Sequence, residues 1–170
     1  DCDGLVDEGI WVRGTLLITE LMLFPAAVVD TVGRYFEVYN PTDGHVELSQ
    51  VAITVGDQVR TVATAPTLAP GQVAVVCSNP DPAMNGGLTC AADILWVGNS
   101  REIRLTAEGL DLDEVVWLSW ATPPPGTALE LSAALLDPLA NDLEPSWCQA
   151  VAVYGLGDRG TPGTLVAPCL

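Results

Sequence analysis

Lysine is absent from this 170-residue chain, and histidine occurs once, as His45. The six basic residues are all arginine and face 22 acidic residues, which gives a formal net charge of −16 at pH 7. An acidic surface of this kind repels phosphates, so nucleic acid and anionic lipid are poor partners, whereas metal cations are favourable ones. The absence of lysine also excludes Schiff-base chemistry and lysine–asparagine cross-links.

Long hydrophobic runs are missing as well. The longest, around Thr15–Val29, is interrupted by Glu20 and Pro25, and a membrane-spanning helix needs about 20 apolar residues. We therefore predict no membrane insertion. No basic start followed by an apolar stretch is present, so we identify no signal peptide. Because the chain begins Asp-Cys-Asp without Met, we expect it to be a piece of a longer protein whose secretion signal lies upstream.

The residues that are present are those of a folded domain. Hydrophobic residues make up 49% of the chain and charged residues 16%, a balance unlike that of disordered proteins. The length corresponds to about one domain. We predict an acidic linker at residues 1–14, followed by a single domain at residues 15–170.

Short β-type runs separated by Gly and Pro turns dominate after residue 15. The predicted strands are Leu16–Phe24, Arg34–Tyr39, Val46–Val55, Gln58–Ala63, Gln72–Cys77, Ile94–Val97, Glu102–Thr106 and Glu114–Trp120. Such spacing is typical of an all-β sandwich or barrel. Residues 128–143 fit either a helical stripe or a strand; because Pro138 would break a long helix, we favour a strand followed by a loop with at most one helical turn.

The five cysteines indicate the redox environment in which the protein is found. Cys77 and Cys90 flank a loop rich in turn-forming residues, and Cys148 and Cys169 bracket the last segment. We predict both pairs as disulfides, which implies an oxidising compartment. Zinc is the rival interpretation, but there is no C-x-x-C motif and the lone histidine lies in a turn. Cys2 is left over, and we expect its partner upstream.

The first eight residues, Asp-Cys-Asp-Gly-Leu-Val-Asp-Glu, carry the clearest cation chemistry. Carboxylates with an intervening glycine turn can bring oxygen ligands onto one hard cation, and Ca²⁺ prefers such ligands. The predicted ligands are Asp1, Asp3, the Leu5 carbonyl, Asp7 and Glu8. The octet resembles acidic repeats that punctuate bacterial surface proteins. An acidic solvated linker is the alternative.

A metal inside the domain would instead use Asp111, Asp113 and Glu114, although a turn between strands is the simpler interpretation of that segment.

A set of segments, in order along the chain, resembles the lamin-tail domain. The segments are Leu17-Ile-Thr-Glu20, Tyr35-Phe-Glu-Val-Tyr-Asn40, Leu68-Ala-Pro-Gly71, Ile103-Arg-Leu105, Asp113–Trp117 and the closing Gly157-Asp-Arg-Gly-Thr-Pro-Gly163. This resemblance covers roughly residues 15–169 and implies an immunoglobulin-like β-sandwich of the type found in secreted bacterial proteins. The chain departs from the family at Thr164-Leu165, where an asparagine is usual.

Two further groups of side chains invite a functional interpretation. Glu37, between aromatic residues, is either a functional carboxylate or, as we favour, an acceptor for backbone or arginine donors beside a turn. The strand aromatics form either a sugar-stacking platform or, as we favour, part of the core. These aromatics are Tyr35, Tyr39, Trp117, Trp120 and Trp147.

Together these features favour a non-catalytic extracellular or cell-surface module with a structural or interaction role and an N-terminal calcium-binding segment. Its partner would be a protein or cell-surface component. One alternative is a fibre subunit that self-associates through the N-terminal segment. Another is a hydrolase with paired carboxylates, which would need two carboxyl groups about 5–10 Å apart in an open cleft.

Overall fold

The computed structural model describes residues 11–61, 63–96 and 98–166, and strands dominate it. The strands are β1 (Leu17–Met22), β2 (Tyr35–Tyr39), β3 (Val46–Glu47), β4 (Ala52–Val55), β5 (Gln58–Thr61), β6 (Thr67–Leu68), β7 (Val73–Cys77), β8 (Ala92–Asp93), β9 (Glu102–Ala107), β10 (Leu110–Val116), β11 (Leu129–Leu131), β12 (Trp147–Gln149), β13 (Val153–Tyr154) and β14 (Asp158–Arg159). Helix α1 spans Asp30–Gly33, and 3-10 turns span Leu48–Gln50 and Glu144–Ser146. The predicted all-β fold is confirmed.

Two larger sheets form the body of the domain. The six-stranded sheet has the order β12-β11-β1-β2-β7-β8, and the four-stranded sheet has the order β10-β9-β4-β5. Neighbouring strands run antiparallel except β7 and β8, which are parallel. Two short pairs, β3 with β6 and β13 with β14, complete the ladders. Neighbours such as β1 and β11 are far apart in sequence, so the fold depends on long-range pairing.

The two sheets bury their inner faces against each other. Alternate residues of each strand point to the same face, and one hydrophobic cluster joins Phe36 and Val38 of β2 to Ile103 and Leu105 of β9. Trp11, from the predicted linker, is also buried in this cluster. The sandwich core therefore contains side chains from both sheets and from the segment that leads into β1.

The outer face of the six-stranded sheet is also covered. A second cluster there contains Met22, Tyr35 and Val75 from the strands, together with Leu88 and Ala150 from covering segments. As a result β1 is buried along its whole length, including its polar residues Thr19 and Glu20. A sheet that is buried on both faces can hold polar side chains only where partners are supplied.

Several predicted strand boundaries are wrong. Val46–Val55 is broken by the 3-10 turn at Leu48–Gln50, and the strand near Ile94 lies earlier, at Ala92–Asp93. The segment Asp111–Glu114 lies inside β10 rather than in a turn, because β10 continues the hairpin from β9 as far back as Leu110. The ambiguous segment, residues 128–143, is a three-residue strand followed by a loop, as favoured, and the 3-10 turn Glu144–Ser146 comes directly after it.

Candidate functional site

Three glutamates meet on the outer face of the six-stranded sheet. Glu20 of β1 lies directly opposite Glu130 of β11 and Glu37 of β2. Side chains paired in this way share a face, with Cβ atoms about 4.5–5.5 Å apart. All three residues are buried. We call Glu20, Glu37 and Glu130 the glutamate cluster.

The cluster is covered by residues 160–164, which we call the strap. The Thr161 backbone N–H donates to both carboxylate oxygens of Glu20, at 3.0 and 3.2 Å. The Thr161 hydroxyl lies 3.2 Å from Glu20 Oε2 and 3.0 Å from Glu130 Oε1. The Gly163 N–H donates to Glu37. Each glutamate therefore bonds to the chain's own C-terminal region.

Burial sets the protonation of this cluster. It raises the pKa of Glu20 to about 7, against hydrogen bonds from Tyr35 and Thr161 that lower it. Burial, followed by the charge of Glu20, raises the pKa of Glu37 to about 9, and burial also raises the pKa of Glu130. Glu37 therefore carries a proton at neutral pH, because three charged carboxylates at this spacing would repel one another in a low-dielectric site.

Tyr35 links the cluster to the covering segments. Its hydroxyl donates to Glu20, and its ring packs edge-on against Tyr154, with centroids 5.7 Å apart. Burial, and then the charge of Glu20, raise the pKa of Tyr35 well above its usual 10. The phenol therefore keeps its proton and remains a donor to Glu20.

The sequence of the closing segment explains how the strap fits. A Cβ on Gly160 would overlap the Tyr35 hydroxyl and Glu20 Oε1, so only glycine allows this approach. Two residues before Gly160, the buried Asp158 accepts hydrogen bonds from the backbone N–H groups of Ala26 and Ala27, the latter at 3.0 Å. The Gly-Asp-Arg-Gly-Thr-Pro-Gly segment thus supplies both an anchor and the donors to the cluster.

A cleft of about 470 Å³ lies beside the strap. Its walls come from β7, the disulfide loop and the strap, and its lining residues are Pro66, Leu68, residues 72–75, residues 87–91, Tyr154, Gly155, Pro162 and Gly163. None of these side chains is charged at neutral pH. The cleft therefore offers hydrogen bonds and apolar contact, but no carboxylate, because the strap separates the glutamate cluster from solvent.

The predicted disulfides and calcium ligands have different outcomes. Cys77 and Cys90 are bonded, with an S–S distance of 2.02 Å, and the closed loop forms one wall of the cleft. The second predicted pair, Cys148 with Cys169, involves a residue outside the described ranges and stays a prediction. All five predicted calcium ligands, Asp1, Asp3, Leu5, Asp7 and Glu8, also lie outside the described residues.

The three acidic residues of β10 do not form one cluster, because Asp113 is buried in the core whereas Asp111 and Glu114 both lie beside Arg104. Asp113 is fully buried; its Oδ2 accepts the Ile18 backbone N–H at 2.7 Å and the Asn141 amide at 2.6 Å. Burial raises the pKa of Asp113 to about 7. Glu114 instead pairs with Arg104. Across residues 11–61, 63–96 and 98–166, no group of three or more His, Cys, Asp or Glu side chains is arranged to hold a metal ion.

The strand aromatics are mainly core. Tyr35, Trp117 and Trp147 are buried, and Trp120 packs against the core with its ring centroid 5.7 Å from that of Trp147. They do not form an exposed sugar-stacking platform. Glu37 accepts a backbone donor, as the favoured interpretation expected. Sequence reasoning missed Glu20 and Glu130, although a carboxylate inside a predicted strand was the available signal, clearest for Glu130 between Leu129 and Leu131.

No protein-family model, curated protein or solved structure matches the chain. In the described part of the chain, no helix is long and apolar enough to cross a membrane. The functional argument therefore depends on the geometry of the cluster, the strap and the cleft.

Proposed function

We propose that this protein is a non-catalytic module of the bacterial cell surface or extracellular space that binds a protein or cell-surface partner. The observation that carries the proposal is the placement of the glutamate cluster. Carboxylates with perturbed pKa values are the usual candidates for acid–base catalysis. Here Glu20 and Glu37 are each 1% exposed and bonded to the strap, so a substrate has no access to them.

The cleft supports a binding role. Its volume of about 470 Å³ falls within the range of about 300–1,000 Å³ that is common for ligand sites. Its uncharged lining suits recognition by shape and neutral hydrogen bonds. A partner that binds there would contact the strap directly at Pro162 and Gly163.

Two observations support the location. The Cys77–Cys90 disulfide is of the kind that persists in oxidising compartments, and the ordered motifs resemble secreted lamin-tail domains. We also propose an immunoglobulin-like topology and membership of the lamin-tail family. We further propose that residues 1–8 bind calcium, which is supported by the spacing of the carboxylates alone.

The partner-binding role is tested with fluorescently labelled protein on intact bacterial cells. We expect saturable surface binding that Thr89→Trp reduces at least tenfold, because Thr89 lines the cleft and a larger side chain would fill it. Thr64→Trp is the matched control, since Thr64 is also exposed but lies outside the cleft. Equal binding by both variants would contradict the role of the cleft.

The two alternatives give distinct results. Turnover of glycoside, ester or peptide substrates by the wild-type chain, lost in Glu20→Gln and Glu37→Gln, would establish a hydrolase. Long ordered filaments in micrographs of the purified protein would establish a fibre subunit. We expect neither, and a monodisperse species in sedimentation.

A further inference from the structure

The cleft beside the strap contains an open section of sheet edge. Strand β7 lies next to β8, the last strand of the six-stranded sheet, but β8 pairs only with Val76 and Cys77. The first half of β7 therefore has β2 on one side and no strand of the described residues on the other. Strands β5, β10 and β12 also lie at sheet edges, but none of them lines the cleft.

The backbone groups of β7 face its two sides in alternation, as in any antiparallel pair. Toward β2, the Gln72 carbonyl accepts the Asn40 N–H at 3.0 Å, so Gln72 and every second residue after it bond on that side. Away from β2, the Val75 carbonyl accepts the Ala91 N–H at 2.8 Å. Val73 lies two positions before Val75, so its N–H and C=O also point away from β2.

Three backbone groups on this outward side have no partner among the described residues. They are the Val73 N–H, the Val73 C=O and the Val75 N–H. Segment 87–91 forms the opposite wall of the cleft, and it bonds to this part of β7 only at Ala91. Unpaired groups along a sheet edge are a template for pairing with another strand.

The cleft reaches these groups through the backbone. Residues 72–75 all line it, although consecutive side chains of a strand point to opposite faces. The Ala74 side chain is buried in the core between the two sheets, whereas Val75 belongs to the cluster on the outer face. Residues of both faces therefore line one cleft along the backbone edge that they share.

We propose that the cleft binds an extended, uncharged polypeptide segment of the partner, which adds as a strand to the open edge of β7. This inference rests on the proposed binding role of the cleft and names the class of partner. An extended backbone supplies the groups that Val73 and Val75 lack, and main-chain bonds of this kind provide the affinity in strand addition. Residues 72–75 span about 10 Å at ~3.3 Å per residue, so the edge pairs with about four residues of the partner.

The charge of the chain excludes acidic partner segments. No side chain that lines the cleft is charged at neutral pH, so an acidic segment would find no counter-charge there. The net charge of −16 would repel it as well. An uncharged segment has neither disadvantage.

Amide hydrogen exchange of the whole chain, followed by NMR, tests the open edge itself. We expect the Val73 amide to exchange at least tenfold faster than the Ala74 amide, because only Ala74 bonds to β2. Equal protection of the two amides would show that the edge is already covered and would overturn the inference.

The binding test passes a pooled library of end-blocked hexapeptides, built from Val, Ile, Thr, Ser and Asn, over the immobilised chain. We expect a selected peptide to bind saturably and to slow exchange of the Val73 amide. N-methylation of one alternate set of its residues should weaken binding about tenfold, because those nitrogens lose their donors to β7. N-methylation of the other set is the matched control and should be tolerated.

Two variants at one position separate backbone from side-chain recognition. Val73→Pro removes the N–H that faces the cleft and no bond to β2, as is tolerated at a strand edge, and it should weaken peptide binding about fivefold or more. Val73→Thr keeps this N–H and should bind as the wild type does. Equal weakening by both variants, or no effect of N-methylation in either set, would overturn strand addition.

The remaining outcomes identify what has failed. If no peptide is selected but Thr89→Trp still reduces binding to cells, the proposed function stands and strand addition is wrong. If Thr89→Trp leaves binding to cells unchanged, the proposed role of the cleft is itself wrong. A dimer in sedimentation that Val73→Pro dissociates would make a second copy of the chain the occupant, and would overturn the assignment to a separate partner.

Discussion

Raising the pH from 5 to 9 should destabilise this protein, and the glutamate cluster is the main cause. The native-state pKa of Glu20 is about 7 and that of Glu37 is about 9, against an ordinary value of 4.5. Between pH 4.5 and the native-state pKa of each group, the native state binds more protons than the unfolded state. The free energy of unfolding therefore falls as pH rises through this interval. The stability is fully present below about pH 4.5, and the decline ends at about pH 7 for Glu20 and about pH 9 for Glu37.

The size of the effect follows from the displacement of the pKa. One pKa unit corresponds to about 1.36 kcal/mol, so the displacement of Glu20 from 4.5 to about 7 costs about 3 kcal/mol once the carboxyl group is charged. A domain of this size loses about 2–4 °C of melting temperature per kcal/mol. Asp113 contributes in the same direction, since its pKa is also about 7.

Calorimetry at pH 5, 6, 7, 8 and 9 measures the decline in melting temperature. The Glu37→Gln variant shows which part of that decline is caused by Glu37. The decline between pH 8 and 9 belongs mainly to Glu37, because Glu20 and Asp113, each with a pKa of about 7, are largely deprotonated at pH 8. We therefore expect Glu37→Gln to be more stable than the wild type at pH 8 and to lose this advantage near pH 4.5. Glu108→Gln, at an exposed turn, should keep the wild-type profile. A melting temperature that rises from pH 5 to 8, or a Glu37→Gln profile that is unchanged, would refute the reasoning.

Four further predictions concern the strap, a turn, the disulfide and calcium. Gly160→Ala should destabilise by about 1–3 kcal/mol, as overpacking does, and unchanged unfolding in denaturant would show that the strap does not pack as described. Asn40→Ala should cost about 2–4 kcal/mol, because the buried Asn40 amide donates to two carbonyls, at 2.8 and 3.0 Å, that would lose their donor; Asn40→Asp should be nearly as destabilising. Replacing both Cys77 and Cys90 by Ser should cost about 3 kcal/mol from the opened loop, and equal midpoints of urea unfolding would contradict this. Calcium titration should shift the amide signals of residues 1–9 with Kd about 10⁻⁴–10⁻³ M, while chelation leaves the melting temperature nearly unchanged; a large fall would place the metal inside the sandwich.

Local sequence was sufficient wherever a feature depends on neighbouring residues. Alternating or continuous apolar runs predicted β1, β2, β7 and β9, because side-chain direction alternates along any strand. The loop between Cys77 and Cys90 is closed by its own flanking cysteines. Glu37 was expected to accept backbone donors, although the donor, Gly163, lies 126 positions along the chain and could not be named.

The boundaries that failed depend on pairing partners. Within the run at Val46–Val55, Leu48–Gln50 forms a 3-10 turn because Val46–Glu47 pairs with β6 while Ala52–Val55 pairs with β5 and β9. Likewise, Asp111 and Asp113 appear turn-like by composition, but pairing with β9 extends the strand through them. Local composition does not show which distant segment will pair with a given strand through backbone hydrogen bonds.

The sequence by itself determined an acidic, disulfide-closed, all-β domain. Only the tertiary structure decided that Glu20, Glu37 and Glu130 form one site, because this requires β11 and β2 to flank β1 in one register. A shift of one residue in either pairing would move a glutamate to the opposite face of the sheet. The strap must then return to the same face to supply the donors, so the raised pKa values come from long-range burial that the sequence does not show.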